Sequence, residues 1–377
     1  MYIETEGLDN NGMDSPFSYG IVCARLEMLG NQSQRGGAMK KIARIGLDLA
    51  KNVFQVHAVD AQGKTVLNKT IKRDKLRAFF VECEPCLVGM EACSGAHYWA
   101  RELTKLGHEV RLMAAQFVIP YRKSGKNDRN DAEAICEAVS RPSMRFVPVK
   151  SVEQQAVLTV HRSRTLLIAE RTALINHIRG LLTEFGIVLP QGATKVRQEL
   201  PWILEDAENG LPDLAREVIA DSYTRLRQLD ERIHEYDQRI ERIARNDVLV
   251  QRVMQVEGIG PVTATALVAT VGEAKVFDSG RQFAAWLGLT PRQHSSGGKN
   301  RLGRISKRGD AYLRTLLIHG GRSVLLQASK RQDAKSRWVT ALKQRSHHNV
   351  AAVALAAKNA RVIWALLARG EEYRRAA

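Results

Sequence analysis

The sequence predicts an α/β N-terminal domain, a middle built of long helices, and a mainly α C-terminal unit. Three observations carry that reading. Between Ile42 and Met113 short apolar runs alternate with helical stretches. Between residues 151 and 245 apolar side chains recur three and four apart, the spacing of a helix stripe. From residue 248 onward, glycine turns separate further helical segments.

Taken in order, Ile42 to Asp48 and Val53 to Val59 read as strands, and an Asp60-Ala61-Gln62-Gly63 turn leads to a third at Thr65-Val66-Leu67. Arg73 to Cys83 reads as a helix. Leu87 to Glu91 is a short apolar run of the kind that fills a buried strand. Tyr98 to Leu106 reads as a helix ended by Gly107, and Glu109 to Met113 as a strand. Strands joined by short turns, then strands alternating with helices, give a mixed sheet covered by helices over 39–150. Residues 1–38 are rich in Gly, Asn and Ser without an apolar period. They are expected to be a poorly ordered extension, or sequence ahead of a natural start at Met39.

In the middle segment, 151–247, Val160, Leu167, Leu174 and Leu181 recur every seven residues, with Ile178 and Phe185 beside them, until Gly186 and Pro190 stop the helix. Leu226, Leu229, Ile233, Tyr236, Ile240 and Ile243 alternate three and four apart, with Glu231, Arg232, Glu235, Asp237, Arg239 and Glu241 between them. That is a coiled-coil seam. An antiparallel hairpin within one chain and pairing between protomers both satisfy it. The C-terminal unit, 248–377, opens with Gln255 to Pro261 as a helix-hairpin-helix-like element. Its glycines suit either a phosphate at a helix N-terminus or a tight αα-turn. The remainder, to Leu367, is Ala-rich and helical.

Composition narrows the partners. A net charge of +17 and a pI near 9.9 point to a polyanion. Apolar runs such as Val350 to Ala357 are too short to span a bilayer, so no membrane partner is expected. An odd set of five cysteines suits a reducing cytoplasm. Cys83 and Cys86 form a CxxC with no second half, which reads as thiols beside a strand rather than a zinc site.

Four acids stand out against this basic background. Asp48 ends the first strand, Glu91 ends a later one, and Asp128 and Asp131 are three apart, on one helix face. Acids aimed at phosphate repel it unless a divalent ion intervenes, and their convergence without one raises their pKa values. Mg²⁺ or Mn²⁺ is therefore the expected cofactor. Lys123, Lys126 and Arg129 border the pair and suit a nucleic-acid approach path. Singly, each acid is equally a turn or helix cap.

The second feature is Arg292-Gln293-His294-Ser295-Ser296-Gly297-Gly298-Lys299. From Arg292 to Arg322 there are eight Lys/Arg (Arg292, Lys299, Arg301, Arg304, Lys307, Arg308, Arg314 and Arg322) against one acid, Asp310. The glycines suggest loops that approach a backbone closely. Ser296 in a cationic bed is a candidate nucleophile, with His294 as proton acceptor and Ser295 as the neighbouring alternative. A turn residue or a phosphate hydrogen-bond donor is the plainer role for Ser296.

Ile45-Gly46-Leu47-Asp48-Leu49-Ala50-Lys51, Met90-Glu91-Ala92, Lys126 to Ala132, Ser295-Ser296-Gly297-Gly298-Lys299 and Gly303 to Asp310 occur in order. Together they resemble the "IS one-ten" family of bacterial insertion-sequence transposases, in its "eleven-eleven" branch, over residues 40–370. The resemblance implies an RNase H-like (RuvC-like) domain with a DEDD metal site at Asp48, Glu91, Asp128 and Asp131, and a C-terminal serine nucleophile, carried to Ser296. By their charge, Lys126, Arg129, Arg292, Lys299, Arg301, Arg304, Lys307 and Arg308 are the expected nucleic-acid contacts, and the resemblance implies a structured "bridge" RNA as guide. It also implies a dimer or tetramer assembled through the coiled coil, acting in the cytoplasm at the nucleoid. Two rivals stand beside this reading. A hydrolytic RuvC-like junction nuclease needs the acids but not the serine. A non-catalytic nucleic-acid-binding protein leaves the acids without a purpose.

Overall fold

A computed structural model describes residues 41–123, 125 and 127–374. Residues 1–38, read as an extension, lie outside the described residues. Strands β1 (Arg44–Leu49), β2 (Val53–Val59) and β3 (Thr65–Lys72) form an antiparallel meander. Helix α1 (Leu76–Glu82), after one 3₁₀ turn, leads to β4 (Leu87–Glu91), α2 (Ala96–Lys105) and β5 (Glu109–Met113). β1, β4 and β5 are mutually parallel, and β6 (Phe146–Val147) closes the far edge antiparallel. The sheet order is β3-β2-β1-β4-β5-β6. β3 is longer than the three-residue run read from sequence, and the two-residue β6 has no period to reveal it.

The two sheet faces are covered differently. Ile45, Leu47, Val56, Val88, Met90 and Leu112 point to one side and pack with Leu76 and Phe80 of α1 and Trp99 and Leu103 of α2. The other face takes α4 (Asp128–Ala138), reached through the one-turn α3 (Ala115–Val118). Ile135, Ala138 and Val139 pack there against Met113 and Val118. Cys86 is buried beside His108, and Cys83 is half-buried.

Helices α5 (Val152–Glu184), α6 (Ala193–Glu205) and α7 (Asp213–Asn246) follow. A capping box at Ser151 and Gln154 starts α5. α5 and α7 pair with each other antiparallel within the chain: Arg164 meets Asp237 at 2.6 Å and Arg171 meets Asp230 at 3.1 Å. On α7 the expected residues Leu226, Leu229, Ile233 and Ile240 are buried, with Tyr236 and Ile243 half-buried. On α5 the expected seam is displaced. Of the expected residues Ile178 is buried, but Val160, Leu167, Leu174 and Leu181 are only half-buried and Phe185 is exposed, whereas His161, Ile175 and Leu182 are buried. The reason is chemical. His161, Arg164 and Arg171 occupy the inner stripe and meet polar partners, so a search for apolar residues lands on its edge.

The C-terminal part begins with α8 (Val248–Met254), α9 (Pro261–Val271) and α10 (Gly280–Trp286). A two-stranded hairpin, β7 (Pro291–Gln293) and β8 (Leu302–Ile305), precedes α11 (Ala311–Gln327), α12 (Ala334–Arg345) and α13 (His348–Ala368). The α8–α9 turn is as read, but Gly258 serves packing: a Cβ there would sit 2.5 Å from the Gly320 carbonyl of α11. Among the described residues α13 alone is long and apolar enough to cross a bilayer, contrary to the sequence expectation. Half of its most apolar stretch is buried, and Leu355 and Ile363 are fully enclosed.

Candidate active site

Register and glycine build the acidic end of the sheet. β1 and β4 lie in parallel register, Gly46 beside Gly89 and Leu47 beside Met90, so the next residues, Asp48 and Glu91, leave the sheet side by side. The glycine two residues earlier on each strand shares the acid's face, and there α4 lies directly on the backbone. A Cβ at Gly46 would sit 2.1 Å from the Ala132 carbonyl and 2.4 Å from the Cys136 nitrogen; one at Gly89 would sit 2.7 Å from Val139 Cβ. The helix therefore crosses over the glycines and its first turn overhangs the acids. Asn127 caps α4, accepting the Asn130 N–H at 2.8 Å, and Asp128 and Asp131 occupy that first turn.

The four carboxylates feel one another. Burial, then the charges of Asp128, Asp131 and Glu91, push Asp48 up to about 6. Glu91 is also raised, by burial and then by Asp131, with Arg122 opposing. Arg122 Nε lies 2.7 Å from Asp131 Oδ1. That oxygen is nevertheless buried without a hydrogen bond, because the N–H does not point at it. A buried carboxylate oxygen with an ion pair but no hydrogen bond, beside mutually repelling acids, fits a hard divalent cation, for which carboxylate oxygens are the preferred donors. As the side chains stand, no three acid, His or Cys groups among the described residues are gathered closely enough to enclose an ion. Sequence reasoning missed Arg122, Gly46 and Gly89. The signal was present as the repeated Gly-x-acid of Gly46-Leu47-Asp48 and Gly89-Met90-Glu91.

The serine sits on the β7–β8 hairpin, where the sequence suggested loops. Ser296 and Lys299 form an isolated bridge, and Gly297 and Gly298 turn the chain with φ of 55° and 74°. The two serines differ. Ser295 Oγ accepts hydrogen bonds from the Arg301 N–H at 3.1 Å and from Gln293 Nε2 at 3.0 Å. Ser296 Oγ has no side-chain partner among the described residues. Arg292, Lys299, Arg301, Arg304, Lys307 and Arg308 are all exposed, as is Arg129, and none is paired with an acid there. Lys307 holds a left-handed backbone, φ 55°. Arg314, by contrast, is structural: its Nη1 reaches the carbonyls of Leu287 and Arg308. Asp310 caps α11 through the Leu313 N–H at 3.0 Å, and Arg322 donates to Asn349. Lys123 is paired with Glu133, and Lys126 lies outside the described residues.

A buried histidine joins the long helix α5 to the C-terminal helices. Thr265 Oγ1 donates to the Pro261 carbonyl at 2.7 Å, so it accepts from His161 Nε2–H at 3.0 Å. His161 Nδ1 then accepts from the Tyr312 hydroxyl at 3.0 Å. This fixes the neutral tautomer and ties α5 to α9 and α11.

Comparison with known proteins agrees with this division. A model described as transposase, of the DEDD type named for IS110, matches residues 45–187. A second, described as transposase IS116/IS110/IS902 family, matches residues 250–337. A probable family 20 transposase of Pseudomonas aeruginosa is 54% identical over 88% of this chain and 99% of its own length. The transposase for insertion sequence element IS1111A of Coxiella burnetii is 44% identical over 96% of this chain and 99% of its own. That match extends into residues 1–38, beyond the reach expected of the resemblance. The transposase for IS1328 of Yersinia enterocolitica is 40% identical over 88% and 98%. A DEDD domain implies dependence on a divalent metal ion in general. By the whole length of these matches, the chain belongs to the IS110/IS116/IS902 family of insertion-sequence transposases, enzymes that cut and recombine DNA.

Proposed function

We propose that this transposase cuts and rejoins DNA through Ser296, with Asp48, Glu91, Asp128 and Asp131 as ligands for Mg²⁺ or Mn²⁺. The observation that carries the reading is the gathering of those acids at one sheet end, where burial first and their mutual charge second lift Asp48 to about 6. The order β3-β2-β1-β4-β5, antiparallel then parallel, supports an RNase H-like domain. A divalent ion bound there supplies charge neutralisation of phosphate and lowers the proton affinity of a coordinated oxygen.

The chain's own residues do the rest. Ser296 Oγ, free of internal hydrogen bonds, attacks the scissile phosphorus. The new O–P bond forms as the bond to the 3′ or 5′ sugar oxygen breaks, the serine proton passing to His294 and the sugar oxygen taking its proton from solvent water. Arg301, Arg304, Lys299 and their neighbours stabilise the added phosphate charge. The phosphoserine retains the bond for rejoining. Arg292, Lys307, Arg308, Arg129 and Lys126 hold the DNA backbone, and the paired helices α5 and α7 support assembly as a dimer or tetramer. A structured guide RNA supplies target choice in this reading.

The test is an SDS-resistant protein–DNA adduct formed with metal and co-purified RNA. It is expected to vanish in Ser296→Ala and to persist in Ser295→Ala. Cleavage that survives Ser296→Ala would establish the hydrolytic alternative instead.

A further inference from the structure

We infer that the sheet surface beside Asp48, made by the end of β3 and the β1–β2 turn, is a shelf on which Lys51 and Lys72 hold backbone phosphates of the DNA strand at the acidic site. The inference rests on the reading of the acidic end as the place where DNA is held for cutting, and not on the serine chemistry. Register fixes the placement. Asp48 pairs with Gln55 and Gln55 with Thr70, so the three stand in one row on one face of the sheet. Two strand spacings put Thr70 about 10 Å from Asp48. Lys72 lies two residues beyond Thr70, so it shares that face. It ends β3 at the sheet end where Asp48 stands.

This part of the face is open, and its floor is built. Farther along the strands α4 lies on Gly46, and His57 is buried within reach of the charges of Glu133 and Arg129 on that helix. Val53, Thr70 and Lys72 are exposed instead. Thr70 Oγ1 donates to Gln55 Oε1 at 2.7 Å, Gln55 Nε2 to Asn68 Oδ1 at 2.6 Å, and Asn68 Nδ2 meets His57 Nδ1 at 3.1 Å. These neutral groups satisfy one another and leave a fixed, uncharged floor. The turn is fixed as well. Arg73 donates its N–H to the Asn52 carbonyl at 2.9 Å and Nη1 to the Lys51 carbonyl at 3.3 Å. Its guanidinium lies 5.5 Å from the Phe54 ring centre and 5.6 Å from that of Trp99, which holds it in place without an acid.

Charge and position identify the occupant. Lys51 and Lys72 are exposed, and neither is paired with an acid among the described residues. Asp60 is tied up in the β2–β3 turn at the opposite end of the sheet, where it accepts the Gln62 and Lys64 N–H groups. Lys69, on the other face, folds over the Phe79 ring at 5.0 Å. The charges acting on Asp48 are those of other acids, so the shelf lysines are not spent on it. About 10 Å is also about one Debye length at 0.1 M salt, so a phosphate on the shelf and the acids feel each other. Of Val53, Gln55, His57, Asn68, Thr70 and Lys72, which make this face, the one ring is His57, and it is buried. Lysine charges over a neutral polar floor, with no ring to stack on, suit backbone contacts to the strand that the acids act on, not contacts to its bases.

The experiment measures binding of the full chain to a 30-base-pair DNA duplex in EDTA across a salt series. Lys51→Gln/Lys72→Gln is expected to reduce the slope of log Kobs against log salt by about 2, at about 0.9 per phosphate lost. Lys51→Arg/Lys72→Arg keeps the charge and should keep the slope. Lys64→Gln/Lys69→Gln removes equal charge from the other end and the other face, and should leave it unchanged. The acids supply a second readout. Without metal they repel a strand on the shelf, so Asp48→Asn should tighten binding several-fold in the wild-type background and not in Lys51→Gln/Lys72→Gln. An unchanged slope, an equal fall in the control pair, or the same Asp48→Asn effect in both backgrounds overturns the proposal. Mg²⁺ added to the wild type tests the metal reading separately, since it should tighten binding as Asp48→Asn does. A missing Mg²⁺ effect beside intact EDTA results would count against the metal ligands and not against the shelf.

Discussion

The acidic end of the sheet and the serine hairpin are built on opposite plans. At the acidic end each functional group hangs from a paired strand or a capped helix, and the spacing is set by backbone lying on backbone at Gly46 and Gly89. The hairpin is exposed along its whole length from Pro291 to Arg304, and a Cβ added at Gly297 or Gly298 would meet nothing within 4 Å. One region stores its geometry in packing. The other carries the proposed nucleophile, Ser296, on an exposed segment with little packing beneath it. Charge follows the same division, with acids crowded at repulsive range on the rigid side and unpaired cations on the pliable side.

The sharpest break in that comparison is Asp48→Asn. Strand cleavage should fall by at least about 10³-fold, as for loss of a charge-stabilising group at the reacting centre. Stability should move the other way. Asp48 ionises near 3.8 when unfolded and near 6 in the fold, so the metal-free fold loses stability as pH rises from 3.8 through 6. Relief of that repulsion should add about 1 to 2 kcal/mol at pH 7 to 8, after discounting for solvent screening. Melting of the metal-free protein, and the size of its stabilisation by Mg²⁺, reads both effects. A metal-free variant that melts lower than metal-free wild type would show that the acids are not held against one another.

Next in size is Gly46→Val. No rotamer avoids the Ala132 carbonyl, so the helix must lift off the sheet, at a cost of about 3 kcal/mol or more. A denaturant midpoint checks it. A shift under about 1 kcal/mol would mean that α4 does not rest on β1 and that its first turn is free to move.

These residues also show what the sequence could carry. Strands β2, β4 and β5 and the seam of α7 are legible because their periods are apolar and unbroken. Asp48 and Glu91 are legible because each stands near the end of an apolar run, and Asp128 and Asp131 because they lie three apart. What the sequence hides is polar burial. The inner stripe of α5 runs through His161, Arg164 and Arg171, and their partners lie 104, 73 and 59 residues away at Thr265, Asp237 and Asp230. No local pattern predicts pairings of that range. Arg122 escapes notice for the same reason, since only the fold brings it to Asp131. The difference between Ser295 and Ser296 depends on hydrogen bonds within a hairpin whose strands are too short to show a period.

His161, which ties α5 to α9 and α11, gives the third prediction. Burial, aided by Arg164, lowers it from 6.5 to about 4. Its contribution is complete above pH 6.5 and is lost as pH falls towards 4, because the unfolded chain then binds a proton that the fold refuses. The expected loss is about 2 to 3 kcal/mol across that window. His161→Gln should be less stable at pH 7.5 and flatter between pH 6.5 and 4. An equal pH slope in the variant would place the titration elsewhere and leave the joint unsupported.

The smallest effect is expected on the pliable side. At Gly297 nothing would touch an added Cβ, so Gly297→Ala costs only its left-handed backbone, φ 55°, about 1 kcal/mol. The penalty falls on a surface hairpin that opens locally, so the global melting temperature should hardly move. Adduct yield should drop several-fold, since the turn that presents Ser296 is populated less, and longer incubation should recover it. Complete loss of the adduct, matching Ser296→Ala, would mean that the hairpin is as rigidly specified as the sheet end. The contrast between a packed acidic site and a loosely packed serine hairpin would then fail.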